Sequence, residues 1–350
     1  MEKLLKQSVG IDCAKDELVV AFGVMDAGFE IHMLSNKTFR NDKGGFTALL
    51  NWSKKLRKEG NLSFVIEATG VYHELASFFL HEHGEWVSVI LPNKIKNFGG
   101  TENVKTINDK VSAQLIARFG LEKKLEQWEP PHKIYNELRQ LTRERDQLNM
   151  ELTQVKNQLH AEQSGAWPNK GSMRRMKQRM NLIEKQQSDI VKEIVETVKT
   201  NTELKEKIDH ICTIKGIGLL TAVTVVAETN GFNLIRNKKQ LVSYAGLDVQ
   251  DKDSGISVHH KPRISRKGNK YLRKAVYFPA LSAIRSDDKM KGLFVRLVSK
   301  HGIKMKAAVA VQRKMLELIY TLWKNNESYD PDYEVKKLRQ LKKAALNEIA

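Results

Sequence analysis

Only two cysteines, Cys13 and Cys212, occur in 350 residues. They stand apart, with no Cys/His cluster near either, which argues against a zinc module and for a reducing, cytoplasmic setting. No run of about 18 apolar residues occurs, so a membrane-spanning helix is excluded. Met1–Ser8 has no apolar signal core, so secretion is not expected. Acid is also scarce: 41 Asp and Glu face 59 Lys and Arg, for a net charge of +18.

With 41% hydrophobic and 29% charged residues, this is a chain that folds, long enough for two or three domains with their own cores. The basic balance points to a polyanion; the plain alternative is a merely basic enzyme. The excess is concentrated. Between Lys252 and Lys306, fifteen Lys and Arg face three acids, Asp253, Asp287 and Asp288. The densest part, His259–Lys274, holds Lys261, Arg263, Arg266, Lys267, Lys270, Arg273 and Lys274 with no acid. A solvated helix face usually interleaves both signs, so a phosphate-facing surface is favoured here.

Residues 8–120 alternate between strand and helix patterns. Val9–Cys13, Glu17–Val24 and Glu30–Phe39 read as three strands, followed by a helix from Asn41 or Asp42 to Leu56. Leu62–Glu67 is a buried strand, Tyr72–His83 a helix, Trp86–Leu91 a strand closed by Pro92, and Asp109–Phe119 a helix. This is a layered α/β domain. From 133 to 205 the pattern changes. Leu138, Leu141, Leu148, Leu152, Val155 and Leu159 keep a 3-4 spacing interrupted by Arg145. After Trp167–Gly171, Met173, Met176, Met180, Ile183, Ile190 and Ile194 resume it, with Gln187 in the seam. Two long helices in an antiparallel coiled-coil arm are expected. Residues 206–325 read as mostly helical, with a polar loop at Asp248–Ser265; Tyr333–Ala350 reads as an exposed amphipathic helix.

Three acids suggest chemistry. Asp12 ends the first strand, Glu67 ends the strand Phe-Val-Ile-Glu, and Asp109 begins the closing helix. Such placements bring carboxylates to one sheet edge, where they repel one another unless a divalent cation such as Mg²⁺ lies between them. Taken singly, an acid in such a place is more often a turn or helix cap; the arrangement of all three together raises the metal reading. The Gly216-Ile217-Gly218 turn between apolar helices resembles a helix-hairpin-helix, whose backbone N–H groups can hold a phosphate; an ordinary tight turn explains it equally. His259 and His260 read as phosphate contacts or plain surface. Ser254-Gly255 precedes the basic cluster, but the pattern alone would not single out Ser254.

The pieces Gly10-Ile11-Asp12-Cys13-Ala14-Lys15, Glu67-Ala68-Thr69-Gly70 and Asn108–Phe119 occur in order. Ile214-Lys215-Gly216-Ile217-Gly218, Tyr244-Ala245-Gly246-Leu247, Ser254-Gly255 and Ile264–Arg273 follow them. With these motifs nearly the whole chain resembles the DEDD transposases of bacterial insertion sequences, the IS-one-ten family, to which the Piv invertase is related. The resemblance implies a RuvC-like, ribonuclease-H-type α/β N-terminal domain, a coiled-coil arm, and a mostly α-helical C-terminal transposase domain. It implies Mg²⁺, or Mn²⁺ in its place, on Asp12, Glu67 and Asp109, and a nucleophilic role for Ser254 in a covalent link to DNA. Ser112 stands where the family has its fourth acid, one turn from Asp109. A neutral hydroxyl is a weaker Mg²⁺ ligand, so three acids and water suffice, or metal affinity is lower, or the copy is inactive. Asp248 replaces a proline often found after the Gly-Leu pair. Some family members take a bridge RNA encoded beside the gene, which would be a second polyanion here.

The expected organisation is therefore a RuvC-like domain at 1–125, an arm at 126–205, a transposase domain at 206–328 and a helical tail at 329–350. The expected function is Mg²⁺-dependent cleavage and exchange of double-stranded DNA, at element ends and target, by a dimer or tetramer in the bacterial cytoplasm at the nucleoid. Lys261, Arg263, Arg266, Lys267, Lys270, Arg273, Gly216 and Gly218 would contact nucleic acid. A junction-resolving nuclease that uses water, and a non-catalytic nucleic-acid-binding relative, remain open as alternatives.

Overall fold

The computed structural model of the chain describes residues 4–102, 108–233, 235–250, 253–254, 258–259, 263–333 and 336. The chain divides into two compact units, 1–130 and 131–350.

The first unit is built on a five-stranded sheet. Strands β1 (Leu4–Cys13), β2 (Glu17–Asp26) and β3 (Ile31–Arg40) form an antiparallel meander, and β4 (Leu62–Glu67) and β5 (Trp86–Ile90) add to β1 in parallel. The order across the sheet is β3-β2-β1-β4-β5, so β1 and β4 are central. Helices α1 (Lys43–Leu56), α2 (Glu74–Glu82), α3 (Pro92–Thr101) and α4 (Asp109–Glu122) complete the unit. The expected α/β order is present, with α3 as an addition. Pro92 does close the strand, but it also occupies the first turn of α3, where its missing N–H costs nothing and its fixed φ suits the helix.

The period-two alternation of the central strands sorts their residues between two faces. Val9, Ile11, Phe64 and Ile66 are fully buried and pack with Phe46 and Leu49 of α1 and Leu80 of α2. The intervening residues, Ser8 and Gly10 on β1 and Val65 on β4, meet α4. A Cβ on Gly10 would fall inside contact distance of Ala117 N and Ala113 O, and one on Gly120 would overlap Ser8 Oγ. Gly120 over Ser8 and Ala113–Ala117 over Gly10 fix the direction: α4 runs antiparallel to β1, backbone almost against backbone.

The second unit is mostly helical, as expected. Helices α5 (Lys133–Ser164) and α6 (Lys170–Lys199) pack along each other, with Leu141, Leu148, Val155, Ile183 and Ile190 buried. Cross-pairs Thr197–Glu137 at 3.1 Å, Gln187–Asn149 at 3.0 Å and Lys156–Glu184 at 3.6 Å run in opposite chain directions, so the helices are antiparallel. Helices α7 (Thr202–Cys212), α8 (Leu219–Glu228), α9 (Lys238–Tyr244), α10 (Lys270–Ala275), α11 (Tyr277–Ser286), α12 (Asp288–His301) and α13 (Lys304–Asn325) share one apolar core with the inner ends of α5 and α6. Asparagine or aspartate side chains cap α6, α7, α9, α10 and α12, each satisfying an otherwise unpaired N–H.

Within the segment expected as a polar loop, the described residues include short paired strands of a β-ribbon. Short strands β6 (Val249–Gln250) and β9 (Arg263–Ile264) pair, as do β7 (Asp253–Ser254) and β8 (Val258–His259), all antiparallel. The tail from 337 onward lies outside the described residues.

The Gly10 contact yields a direct prediction. Gly10→Ala should destabilise the first unit by about 1–3 kcal/mol, because neither neighbour is a side chain that can swing away. Gly100→Ala, where nothing lies within 4 Å, should be neutral or slightly stabilising. Chemical denaturation of both variants checks this; equal stabilities would contradict it.

Candidate active site

Asp12 follows Gly10 by two residues and so lies on the same face of β1. Two strand residues advance about 7 Å, or four to five residues of an α-helix. Continuing the α4 register from Ala113–Ala117 by that amount reaches the first turn of α4, which carries Asp109 and Ser112. The turn begins cleanly because the Asn108 side chain accepts from Val111 N at 2.9 Å. Glu67 ends β4 one strand over, on the face of Val65, next to the β1 end because Ile11 and Ile66 are in register.

The electrostatics bear the same imprint. Burial raises the pKa of Asp12, and the negative charge of Asp109 raises it further, against a weaker opposing hydrogen bond from the Cys13 backbone. Burial and then Asp12 raise that of Glu67, opposed by the Thr69 hydroxyl at 3.4 Å. Cys13, buried on the opposite face, is pushed up to about 12 by burial and by Asp12 and Glu67, so its thiol stays protonated and inert. Among the described residues no three His, Cys, Asp or Glu side chains form a ready metal cage; the acids couple in pairs, with Asp12 common to both. Unrelieved repulsion between hard oxygen donors suits a divalent cation such as Mg²⁺, and Asp12, Glu67 and Asp109 are the residues that would hold it. Ser112 is half-buried on the same turn.

The sequence offers Asn41 only as an alternative to Asp42 for the start of α1; Asp42 is the cap, and Asn41 has another role. Its Nδ2 donates to Ala14 O at 2.8 Å and to Tyr72 O at 3.0 Å, joining the loop after β1 to the loop after β4. It thereby ties together the two strand exits that follow Asp12 and Glu67.

In the second unit, Ser254 of β7 pairs through its backbone with Val258 of β8. The β6–β9 pair is clasped by Asp248, whose Oδ1 accepts from Ser265 Oγ at 2.5 Å and whose carbonyl accepts from Ser265 N at 2.9 Å. Asp248 thus closes the ribbon by hydrogen bonds.

The basic motif is anchored from beneath. Glu228, 3% exposed at the end of α8, receives Arg143 of α5 at 2.7 and 2.8 Å and Asn269 Nδ2 at 2.6 Å. Asn269 is fixed at each polar group: its N donates to Tyr244 O at 2.7 Å, and its Oδ1 accepts from the N–H groups of Tyr271 and Leu272. The Arg143 guanidinium lies 4.6 Å from the centre of the Tyr271 ring, a cation–π contact. A buried carboxylate needs such complete pairing. The charged run conceals this role for Asn269; the one sequence signal for Glu228 is an acid directly after the apolar stretch of α8.

Arg263, Arg266, Lys270 and Arg273 line one groove, and Lys267 is exposed beside them. Lys261 lies outside the described residues. Arg273 is also structural: its Nη1 donates to Ala245 O at 2.7 Å and Gly268 O at 3.1 Å, and burial, then Arg266, lowers its pKa. Gly216 has φ +92° and a Cβ there would press on Pro279 O at 2.8 Å, so glycine is required for the turn. Gly218 is the N-cap of α8, with no capping side-chain hydrogen bond among the described residues and open space where a Cβ would lie, a geometry that suits a phosphate at the helix N-terminus.

Two transposase family models match the chain. One, described as a transposase of the DEDD, IS110 type, covers residues 9–168; the other, the transposase IS116/IS110/IS902 family, covers 208–294. The chain belongs to this transposase family. A pilin gene-inverting protein of Moraxella bovis is 27% identical to the transposase chain over 328 residues, 93% of this chain and 98% of the relative. The transposase for insertion sequence element IS1111A of Coxiella burnetii is 27% identical over 138 residues, 38% of this chain and 37% of that one. Among solved structures, Thermus thermophilus RuvC in complex with a Holliday junction substrate aligns with a TM-score of 0.28 at 11% identity, over 35% of this chain and 99% of RuvC. Among the described residues of the transposase, no helix is long and apolar enough to cross a membrane.

The raised carboxyls give a pH prediction. A carboxyl whose pKa is higher folded than unfolded binds its proton more tightly in the fold, so stability falls as pH rises through that window and the penalty is complete at neutral pH. Asp12→Asn should therefore raise the melting temperature at pH 7, by about 2–4 °C for each kcal/mol relieved. The gain should fade as pH drops below the carboxylate range. Thermal scans from pH 3 to 8 check this; a lower melting temperature at pH 7 would contradict it.

Proposed function

We propose that this chain cuts and rejoins double-stranded DNA at the ends of an insertion element and at its target, with Ser254 as nucleophile and a divalent cation on Asp12, Glu67 and Asp109. The observation that carries the proposal is the placement of three carboxylates at one end of β1, β4 and α4 in a member of a transposase family. The relative whose name describes pilin gene inversion supports the recombinase reading, because inversion also cuts and rejoins two DNA sites.

In the proposed step the Ser254 oxygen bonds to phosphorus as the bond to the departing sugar oxygen breaks. The serine proton leaves to water and the sugar oxygen gains one. One phosphate ester replaces another, so the link can be reversed on a second DNA end without an energy-rich cofactor. A bound divalent cation supplies charge neutralisation at the phosphate oxygens. Asp12, Glu67 and Asp109 would hold that cation, with Ser112 contributing a neutral oxygen where a fourth acid would add charge. Arg263, Arg266, Lys267 and Lys270 would fix the DNA backbone, with Lys261 and the N–H groups beside Gly216 and Gly218 as further phosphate contacts. Arg273 contributes through the fold of the motif.

Joining two DNA sites requires at least two copies, and the antiparallel pair α5 and α6 is proposed as the coiled-coil arm that joins them. A structured guide RNA is proposed as a second polyanion for the +18 charge; recombination would then require RNA transcribed from the DNA beside the gene.

The test uses the full chain, Mg²⁺, that RNA and labelled DNA on a denaturing gel. A protease-sensitive adduct is expected for the wild type. Ser254→Ala and Asp12→Ala should each lose it while still binding DNA. Cleaved ends without an adduct would instead indicate a nuclease that uses water. Binding without cleavage under both Mg²⁺ and Mn²⁺ would indicate a non-catalytic relative.

A further inference from the structure

The groove lined by Arg263, Arg266, Lys270 and Arg273 has a volume of about 980 Å³, and its lining also includes Lys274, Lys306 and Arg313 but no carboxylate among the described residues. Its floor is not polar. Phe278 is 72% exposed and meets Tyr277 edge-on at 5.2 Å, and Ile303 and Met305 are also exposed there. Phosphates alone do not need such a floor, since a duplex backbone is held by cations, hydroxyls and N–H groups. Exposed Phe, Ile and Met side chains gathered among cations also mark an interaction site rather than plain surface. A partner that satisfies both features carries phosphates and an exposed flat π face, which is an unpaired nucleotide.

The groove also has a definite place relative to Ser254. Val249 and Ile264, a pair of β6 and β9, form part of its wall, and Ser254 of β7 lies five residues after Val249 in the chain. At about 3.4 Å per strand residue that is at most about 17 Å, or about five nucleotides at duplex rise.

Building on Ser254 as the nucleophile, we infer that the groove holds an unpaired base of the DNA strand being cut, within about five nucleotides of the attacked phosphate. The base lies on Phe278 and the flanking phosphates meet Arg263, Lys270 and Lys306. The DNA is therefore locally opened at this groove, and an already unpaired strand is its preferred ligand.

The test is equilibrium binding without divalent metal, in a Ser254→Ala background so that no cleavage intervenes. The probes are a 20-nucleotide DNA strand, the same sequence as a duplex, and the same sequence as RNA. Phe278→Ala should weaken binding of the DNA strand about 5- to 100-fold, the range for loss of one base–aromatic stack, and leave the duplex within about twofold. Phe278→Trp should restore strand binding. Because Phe278 is exposed, its removal spares the core, and an unchanged melting temperature verifies this. Equal losses for strand and duplex, no loss for either, or a loss confined to RNA would each overturn the inference. These outcomes do not involve the covalent adduct, so failure here leaves the serine mechanism standing, and loss of that mechanism leaves this binding result readable.

Discussion

The near-contact of α4 with β1 is the constraint on which the acid site depends. Gly10 offers no side chain, and Ala113, Ala117 and Gly120 offer almost none. With helix backbone lying against strand backbone, the helix axis is held close and its register is fixed by shape. Only from that register does the first turn of α4 reach the end of β1, where Asp12 points to the same face as Gly10. The repulsion of Asp12 with Asp109 and of Glu67 with Asp12 is thus built into a tightly packed scaffold. The fold itself contributes the destabilisation that a bound cation would relieve.

The second unit solves a different electrostatic problem. It must hold a dense run of cations in one shape without neutralising them all. One buried carboxylate does much of this: Glu228 gathers Arg143 from α5 and Asn269 from the basic motif, and Asn269 in turn caps α10. Arg273 ties the same motif to Ala245 through its carbonyl and braces the Gly268 carbonyl within the motif. The run therefore contains two kinds of residue. Asn269 and Arg273 are consumed by the fold, whereas Arg266, Lys267 and Lys270 remain exposed for phosphate.

What could be read in advance follows the range of the interactions. Strand-end acids were legible because alternation and burial are local, and the Leu138–Leu159 seam was legible because its period is short. The local pattern shows Pro92 as a strand stop but hides its second role as a helix start, since both roles use the same fixed φ. The β-ribbon was not legible: its strands are two residues long, and the Asp248–Ser265 clasp that closes it spans 17 positions. The Arg143–Glu228 pair spans 85 positions, beyond any local pattern. The Asn41 bridge between two strand exits is hidden for the same reason. Ser112 was visible as a departure from the family pattern only because Asp109 fixes the helical turn on which it lies.

The most direct test of the central claim, that packing of α4 on β1 assembles a divalent-cation site from carboxylates, is Mn²⁺ binding to the metal-free full chain, followed by electron paramagnetic resonance at neutral pH. The account predicts protein-bound Mn²⁺ for the wild type and at least about tenfold weaker binding for both Asp12→Asn and Glu67→Gln. Equal Mn²⁺ affinity in all three proteins would contradict it.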